Sequence, residues 1–188
     1  MELEKLLSSR SIFSGRAVKL RIDTIETPSG RQTTREIVEH SDCVAVIPVD
    51  AQGNILLVSQ FRYAIGKELL EIPAGGIDPG EDPEAAVRRE LQEEIGFLPK
   101  KMRRLGGFYS SPGFCTEYLH LYLATELTPS QLYAEDTDEI KTIPTSIKEI
   151  PGLISSGRIC DAKSIVGLLT YLEYRKKSVK RGVSGVPT

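Results

Sequence analysis

The stretch Gly75-Gly76-Ile77-Asp78-Pro79-Gly80-Glu81-Asp82-Pro83-Glu84-Ala85-Ala86-Val87-Arg88-Arg89-Glu90-Leu91-Gln92-Glu93-Glu94-Ile95-Gly96-Phe97 spells a loop, a capped helix and a cluster of carboxylates. Asp82 has the chemistry of an N-cap, and Pro83 suits the first helical position, where its missing N–H costs nothing and its ring presets φ. Gly96 closes the helix, so the expected span is Pro83–Ile95. Within it Val87, Leu91 and Ile95 recur at four-residue spacing and predict a buried stripe. Glu90, Glu93 and Glu94 fall at i, i+3 and i+4 and crowd another side.

Three carboxylates within about 5–6 Å of one another repel, so a counter-charge is expected. Mg²⁺, or Mn²⁺ in its place, takes hard oxygen ligands and binds through a few carboxylates together with substrate phosphates. Arg89 precedes Glu93 by one helical turn and is placed to orient that carboxylate. The pairs Gly75-Gly76 and Pro79-Gly80 predict a tight loop that brings backbone carbonyls near the ion and leaves room for a bulky anion. Most glutamate-rich helical faces are simply solvated. The cap, the loop and the closing glycine around this one argue for a phosphate-chemistry site.

These residues resemble the signature G-x5-E-x7-R-E-U-x-E-E-x-G-U of the Nudix hydrolases, U being a bulky apolar residue. Gly75, Glu81, Arg89, Glu90, Leu91, Glu93, Glu94, Gly96 and Phe97 stand at its specified positions. The resemblance implies an α/β fold, an α/β/α sandwich with a mixed sheet, and hydrolysis of nucleoside diphosphates linked to another group. Along most of residues 1–176 the chain further resembles the ADP-ribose pyrophosphatase branch. Ser111-Pro112-Gly113, Leu70-Glu71-Ile72-Pro73-Ala74-Gly75, the acidic loop Glu135-Asp136-Thr137-Asp138-Glu139-Ile140, and Ile159-Cys160-Asp161-Ala162-Lys163-Ser164 carry that likeness.

Transferred residue by residue, the resemblance makes Glu90, Glu94 and the Ala74 carbonyl metal ligands, with Glu93 a ligand or a water-orienting group. It places a catalytic acidic residue in the loop, Asp138 first and Asp136 and Glu139 behind it. The branch often carries glutamate where Asp136 and Asp138 align, and aspartate is one methylene shorter. Arg35, Arg62, Glu71, Pro112, Gly113 and Glu117 are the candidate substrate-binding residues, although an arginine at a strand end is more often a surface residue. The implied reaction cleaves ADP-ribose to AMP and ribose 5-phosphate. Alternatives are another nucleoside diphosphate derivative, such as a sugar nucleotide or dinucleotide, and a non-catalytic nucleotide-sensing domain.

Composition sets the outer bounds. A chain of 188 residues with 40% hydrophobic content can bury one full core, and no run approaches the roughly 18 apolar residues of a membrane span. The net charge of −2 argues against a nucleic-acid partner. Met1-Glu2-Leu3-Glu4-Lys5 lacks the apolar segment of a secretory leader. Cys43, Cys115 and Cys160 are odd in number and without zinc spacing, so they read as reduced cytoplasmic thiols packed as small hydrophobes.

Apolar alternation predicts strands near Val18–Glu26, Gln32–Glu39, Cys43–Val49, Ile55–Arg62, Gly106–Tyr109 and Tyr118–Ala124. Pro28-Ser29-Gly30 and Asp50-Ala51-Gln52-Gly53-Asn54 predict antiparallel hairpins between the first two strands and between the third and fourth. Further helices are expected near Ser146–Ser155 and at Ala162–Lys176. The expected organisation is an N-terminal antiparallel sheet in residues 1–40, a hydrolase domain in 41–178 and a flexible tail in 179–188. In the branch it resembles, such an N-terminal sheet dimerises the protein, which implies a homodimer.

Overall fold

Along the computed structural model, which describes residues 3–134 and 139–180, the strands are β1 (Lys5–Ser14), β2 (Lys19–Glu26), β3 (Gln32–Glu39), β4 (Cys43–Pro48), β5 (Ile55–Arg62), β6 (Lys67–Glu71), β7 (Ala74–Gly76), β8 (Phe97–Tyr109), β9 (Tyr118–Pro129) and β10 (Lys141–Thr145). The helices are α1 (Pro83–Glu94), α2 (Ile150–Ser155) and α3 (Ala162–Lys180). They divide into two compact units. One holds the described residues up to 42 with Tyr109–Tyr118; the other holds Cys43–Phe108 with the described residues from 119 onward.

The larger unit is built on β4, which is buried at every position. A strand covered on both faces reads as a continuous apolar run rather than an alternating one. Cys43, Ala45, Ile47 and Val49 join Ile55 and Leu57 in a core with Ile150, Ile159, Leu168 and Tyr171 of the α2–α3 side. Val44 and Val46 join Leu56 and Val58 in a second core with Ala86, Val87, Leu91 and Ile95 of the α1 side. Helices therefore lie on both sides of the strands. The mixed sheet runs β7-β4-β9-β8, with β4 antiparallel to β7 and parallel to β9. A second sheet, β10-β5-β6, is antiparallel throughout.

Several expectations needed correction. The Asp50–Asn54 turn forms, with the Asn54 carbonyl accepting from the Asp50 N–H at 3.0 Å, but it does not lead into a hairpin. Only an isolated bridge, Val49 to Ile55, links the two strands before β5 leaves for the other sheet. The Gly75-Gly76 segment is strand β7 rather than loop, paired with Cys43 and Val44 of β4. The 146–155 helix begins only at Ile150, after a turn in which the Ser146 N–H donates to Glu149 Oε2 at 3.0 Å. β8 and β9 are much longer than predicted, while β1, β6 and β10 carried no recognised alternation. Cys43 alone among the three thiols is buried; Cys160 is exposed.

In the smaller unit β1, β2 and β3 form an antiparallel sheet in that order, and the predicted β2–β3 hairpin pairs from Lys19–Glu39 to Glu26–Gln32. Ile25 and Asp23 are buried, and Arg21 Nε holds both oxygens of Asp23 at 3.1 Å. Segment Tyr109–Tyr118 is fixed to β3 by Val38, whose N–H donates to the Phe114 carbonyl at 2.7 Å and whose carbonyl accepts from Thr116 N–H at 3.0 Å. Among the described residues no helix is long and apolar enough to cross a membrane.

Glu126 on β9 is the one described non-glycine residue with a left-handed backbone, φ 55°, and its carboxylate pairs with Lys101 at 2.5 Å on an exposed surface. The left-handed conformation costs an L-residue roughly 1–2 kcal/mol, more than an exposed ion pair returns. Glu126→Gly should therefore raise unfolding stability by about 0.5–1 kcal/mol, measured as a higher urea midpoint at unchanged m-value.

Candidate active site

Helix α1 forms as its sequence predicts. Asp82 accepts from the Glu84 N–H at 2.9 Å, Pro83 opens the first turn, and Gly96 at φ 74° follows the last. Its apolar stripe is buried through Val87, Leu91 and Ile95. The carboxylate side is not simply solvated, because Glu90 is only 8% exposed. A Cβ at Gly75 would overlap the Glu90 carboxyl group, so the glycine leaves that carboxyl group its present place against β7. Gly75 makes room for this glutamate rather than opening a loop for an anion.

Arg89 organises the cluster through every nitrogen of its guanidinium. Nε donates to Glu81 Oε1 at 3.0 Å and Nη2 to Glu81 Oε2 at 2.9 Å. Nη2 also reaches the Gly76 carbonyl at 2.8 Å, and Nη1 reaches Glu90 Oε1 at 2.6 Å and Glu93 Oε2 at 3.2 Å. The arginine thus orients three carboxylates and the strand before the helix, beyond the single partner read from spacing. Lysine could not reproduce this planar fork. Its hydrogen bonds to Glu81 lead the effects that hold the Arg89 guanidinium protonated well above its ordinary range.

Glu94 accepts from the Ala74 N–H at 3.2 Å. Burial, reinforced by the nearby Glu90 charge, pushes its carboxyl up to about 8. Burial likewise raises Glu90, against the opposing charge of Arg89. One guanidinium pairs with Glu81, Glu90 and Glu93, Glu94 adds a further carboxyl close enough for the Glu90 charge to act on it, and every donor in this set is a hard oxygen. Excess negative charge in a partly dehydrated oxygen cluster suits a hard divalent cation, so these residues fit such an ion.

A second charged cluster adjoins it. Arg62 at the end of β5 donates through Nε to Glu71 Oε1 at 2.9 Å and through Nη2 to Glu71 Oε2 at 2.7 Å. Lys163 on the first turn of α3 also pairs with Glu71 Oε2, and donates to Asp161 Oδ2 at 2.9 Å. Asp161 caps α3 through the Ser164 N–H at 3.1 Å, and Ser164 Oγ accepts from the Ile72 N–H at 2.9 Å. Burial alone would raise Glu71, but the hydrogen bonds from Arg62 and the charge of Lys163 outweigh it and hold the carboxyl below its usual range. The charges of Arg62 and Lys163 also act on Glu94, which couples the two clusters electrostatically.

The larger unit therefore gathers Arg62, Glu71, Ala74, Glu90, Glu93 and Glu94. Arg35, Pro112, Gly113 and Glu117 belong to the smaller unit. There Arg35 pairs with Glu4 at 2.5 Å, Pro112 and Gly113 occupy a turn closed by Phe114 and Cys115 N–H groups on the Ser111 carbonyl, and Glu117 lies 3.8 Å from His40 Nδ1. Glu139 is exposed in a turn, while Asp136 and Asp138 lie outside the described residues. Sequence reasoning passed over Lys163 and Asp161 as charge partners. Both lie in the Ile159–Ser164 segment that carries the likeness, but as residues they show only a capping aspartate two positions before a lysine, which any solvated helix start can show.

The NUDIX domain family matches residues 39–162. The chain is 37% identical over 175 residues to an ADP-ribose pyrophosphatase of Bacillus subtilis (strain 168), covering 92% of this chain and 94% of that one. It is 39% identical over 175 residues to a methanol dehydrogenase activator of Bacillus methanolicus, with the same coverage of 92% and 94%. The crystal structure of an ADP compounds hydrolase superposes with a TM-score of 0.87 at 19% identity, covering 95% of this chain and 97% of that one.

The raised Glu94 carboxyl sets a pH dependence on stability. In the absence of metal the folded protein keeps a proton that the unfolded chain, at the ordinary value of 4.5, has released. Stability is thus lost as pH rises from about 4.5 to about 8. Glu94→Gln, which stays neutral and can still accept from Ala74, should match the parent at pH 5 and exceed it by about 1–3 kcal/mol at pH 8. Urea unfolding in chelator at the two pH values reads the difference, and equal stability at both would refute it.

Proposed function

The chain belongs to the Nudix family, and from that membership we propose that it is a metal-dependent hydrolase cleaving the pyrophosphate bond of ADP-ribose to AMP and ribose 5-phosphate. The observation that carries this reading is the Arg89-held cluster of Glu90, Glu93 and Glu94 at the edge of β7. The relative named as an ADP-ribose pyrophosphatase, matched over nearly its whole length, supports the substrate.

Glu90, Glu94 and the Ala74 carbonyl are the proposed ligands of Mg²⁺, with Mn²⁺ also suited to the oxygen set. Such an ion, when bound, supplies charge to polarise a phosphoryl oxygen and to acidify a water. Arg89 holds Glu93 through Oε2, which leaves Oε1 to orient the attacking water. An acidic-loop carboxylate, Asp138 first and Asp136 and Glu139 after it, takes the proton of that water. A new P–O bond forms to the water oxygen, the bridging P–O bond breaks, and the proton passes to the released phosphate. Arg62, steadied by Glu71, contacts a substrate phosphate.

A second reading keeps the chemistry and takes another nucleoside diphosphate derivative, a sugar nucleotide or dinucleotide, as substrate. Purified protein should release AMP from ADP-ribose with Mg²⁺, cease in chelator, and fall at least about 100-fold in kcat on Glu94→Gln. Preferential turnover of ADP-glucose, GDP-mannose or NADH in competition would move the assignment to that second reading.

We also place dimerisation on residues 1–40, with a hydrolase domain from residue 41 onward; the tail expected from 179 is corrected at its start, because α3 continues to Lys180. Every residue of β1 is exposed, including Leu6, Leu7, Ile12 and Phe13. Apolar side chains gathered on one strand mark an association surface. Light scattering should give twice the monomer mass of 20.8 kDa, and a monomeric mass would sink the assignment.

A further inference from the structure

The Arg62–Glu71–Lys163–Asp161 network has an outer end and an inner end. Glu71 is 1% exposed and the Lys163 side chain 16%, whereas the Arg62 side chain is 38% exposed. Arg62 meets Glu71 through Nε and Nη2, so Nη1 stands outside the pair. Two cations face two carboxylates, and Asp161 Oδ1 is buried without a hydrogen-bond partner. The balance is therefore sensitive to each member. Without Lys163, Glu71 and Asp161 would share Arg62 as their single cation, and a buried unpaired carboxylate draws any available charge inward.

We propose that Lys163, anchored by Asp161, is a positioning residue that keeps Arg62 directed toward a substrate phosphate by supplying the second charge on Glu71. The proposal deepens the reading of Arg62 as a phosphate contact and rests on it. Lys163 acts through Arg62 because the lysine is largely enclosed by the two carboxylates it neutralises. Its effect therefore falls on binding of the diphosphate rather than on the chemical step, and it requires Arg62 to be present.

The test is a double-mutant cycle read in two ways: KM and kcat for ADP-ribose, and the calorimetric Kd of ADP. Lys163→Met should raise KM and Kd about 5–10-fold with kcat within about twofold, and in the Arg62→Ala background it should change either by less than about twofold. Lys163→Arg should restore most of the binding. If Lys163→Met does not fold, Asp161→Asn, which keeps an oxygen for the Ser164 N–H, should raise Kd about 2–3-fold only when Arg62 is present. A Lys163→Met variant that loses melting temperature with Kd unchanged would overturn the proposal, and so would an equal loss of binding with and without Arg62. Absence of ADP-ribose turnover in the unsubstituted protein would overturn the hydrolase reading while ADP binding still decides the role of Lys163. Failure of Arg62→Ala to weaken ADP binding would overturn the positioning proposal together with the phosphate contact.

Discussion

Glu90 is buried beside the backbone of Gly75, where Arg89, the preceding residue on α1, engages all three of its guanidinium nitrogens at once. A dehydrated carboxylate is costly unless it is paired and hydrogen-bonded, and the cost grows when further carboxylates stand on the same turns. Arg89 answers both demands. It neutralises part of the charge and, through Glu81 and the Gly76 carbonyl, ties the loop before the helix to the helix itself. The position of α1 against β7, and with it the geometry of the whole acidic cluster, depends on that one side chain.

The same helix serves the core with its other face. Val87, Leu91 and Ile95 pack beneath β4 and β5, so the acidic side is held as rigidly as the apolar side is buried. On the far side of those strands α3 fills the other core and delivers Asp161, Lys163 and Ser164 to the end of β6. The two helices thus bring two charged clusters to neighbouring strand ends, one with excess negative charge and one balanced. They are coupled through the charges of Arg62 and Lys163 acting on Glu94. In the proposed reading the negative cluster holds the divalent ion and Arg62 of the balanced one meets a phosphate.

Local chemistry explains why the box helix was legible at residue level. Asp82, Pro83 and Gly96 each act within a few residues of themselves, and the four-residue recurrence of Val87, Leu91 and Ile95 is a property of helix geometry alone. β2, β3, β4 and β5 were legible for the related reason that their apolar patterns report burial directly. β6 and β7 were not. Lys67–Glu71 mixes charged and apolar residues because Glu71 is buried by its pairing with residues distant in sequence, and Ala74–Gly76 looks like a loop because Gly75 answers to Glu90. The apparent hairpin at Asp50–Asn54 misled because a turn states where a chain bends, not which sheet receives it.

By itself, then, the sequence determined the reaction class: the spacing of Glu81, Arg89, Glu90, Glu93 and Glu94 is a covalent fact, and helix periodicity converts it into a shared face. It also determined the helix that bears them and the composition of the core strands. Only the tertiary structure decided that Gly75 clears space for Glu90, that Arg89 binds three carboxylates rather than one, and that Lys163 and Asp161 complete the environment of Arg62 and Glu71. Those contacts join residues separated by up to 92 positions, and hydrogen-bond partnership at such separations is set by how sheets and helices pack, which no local pattern encodes.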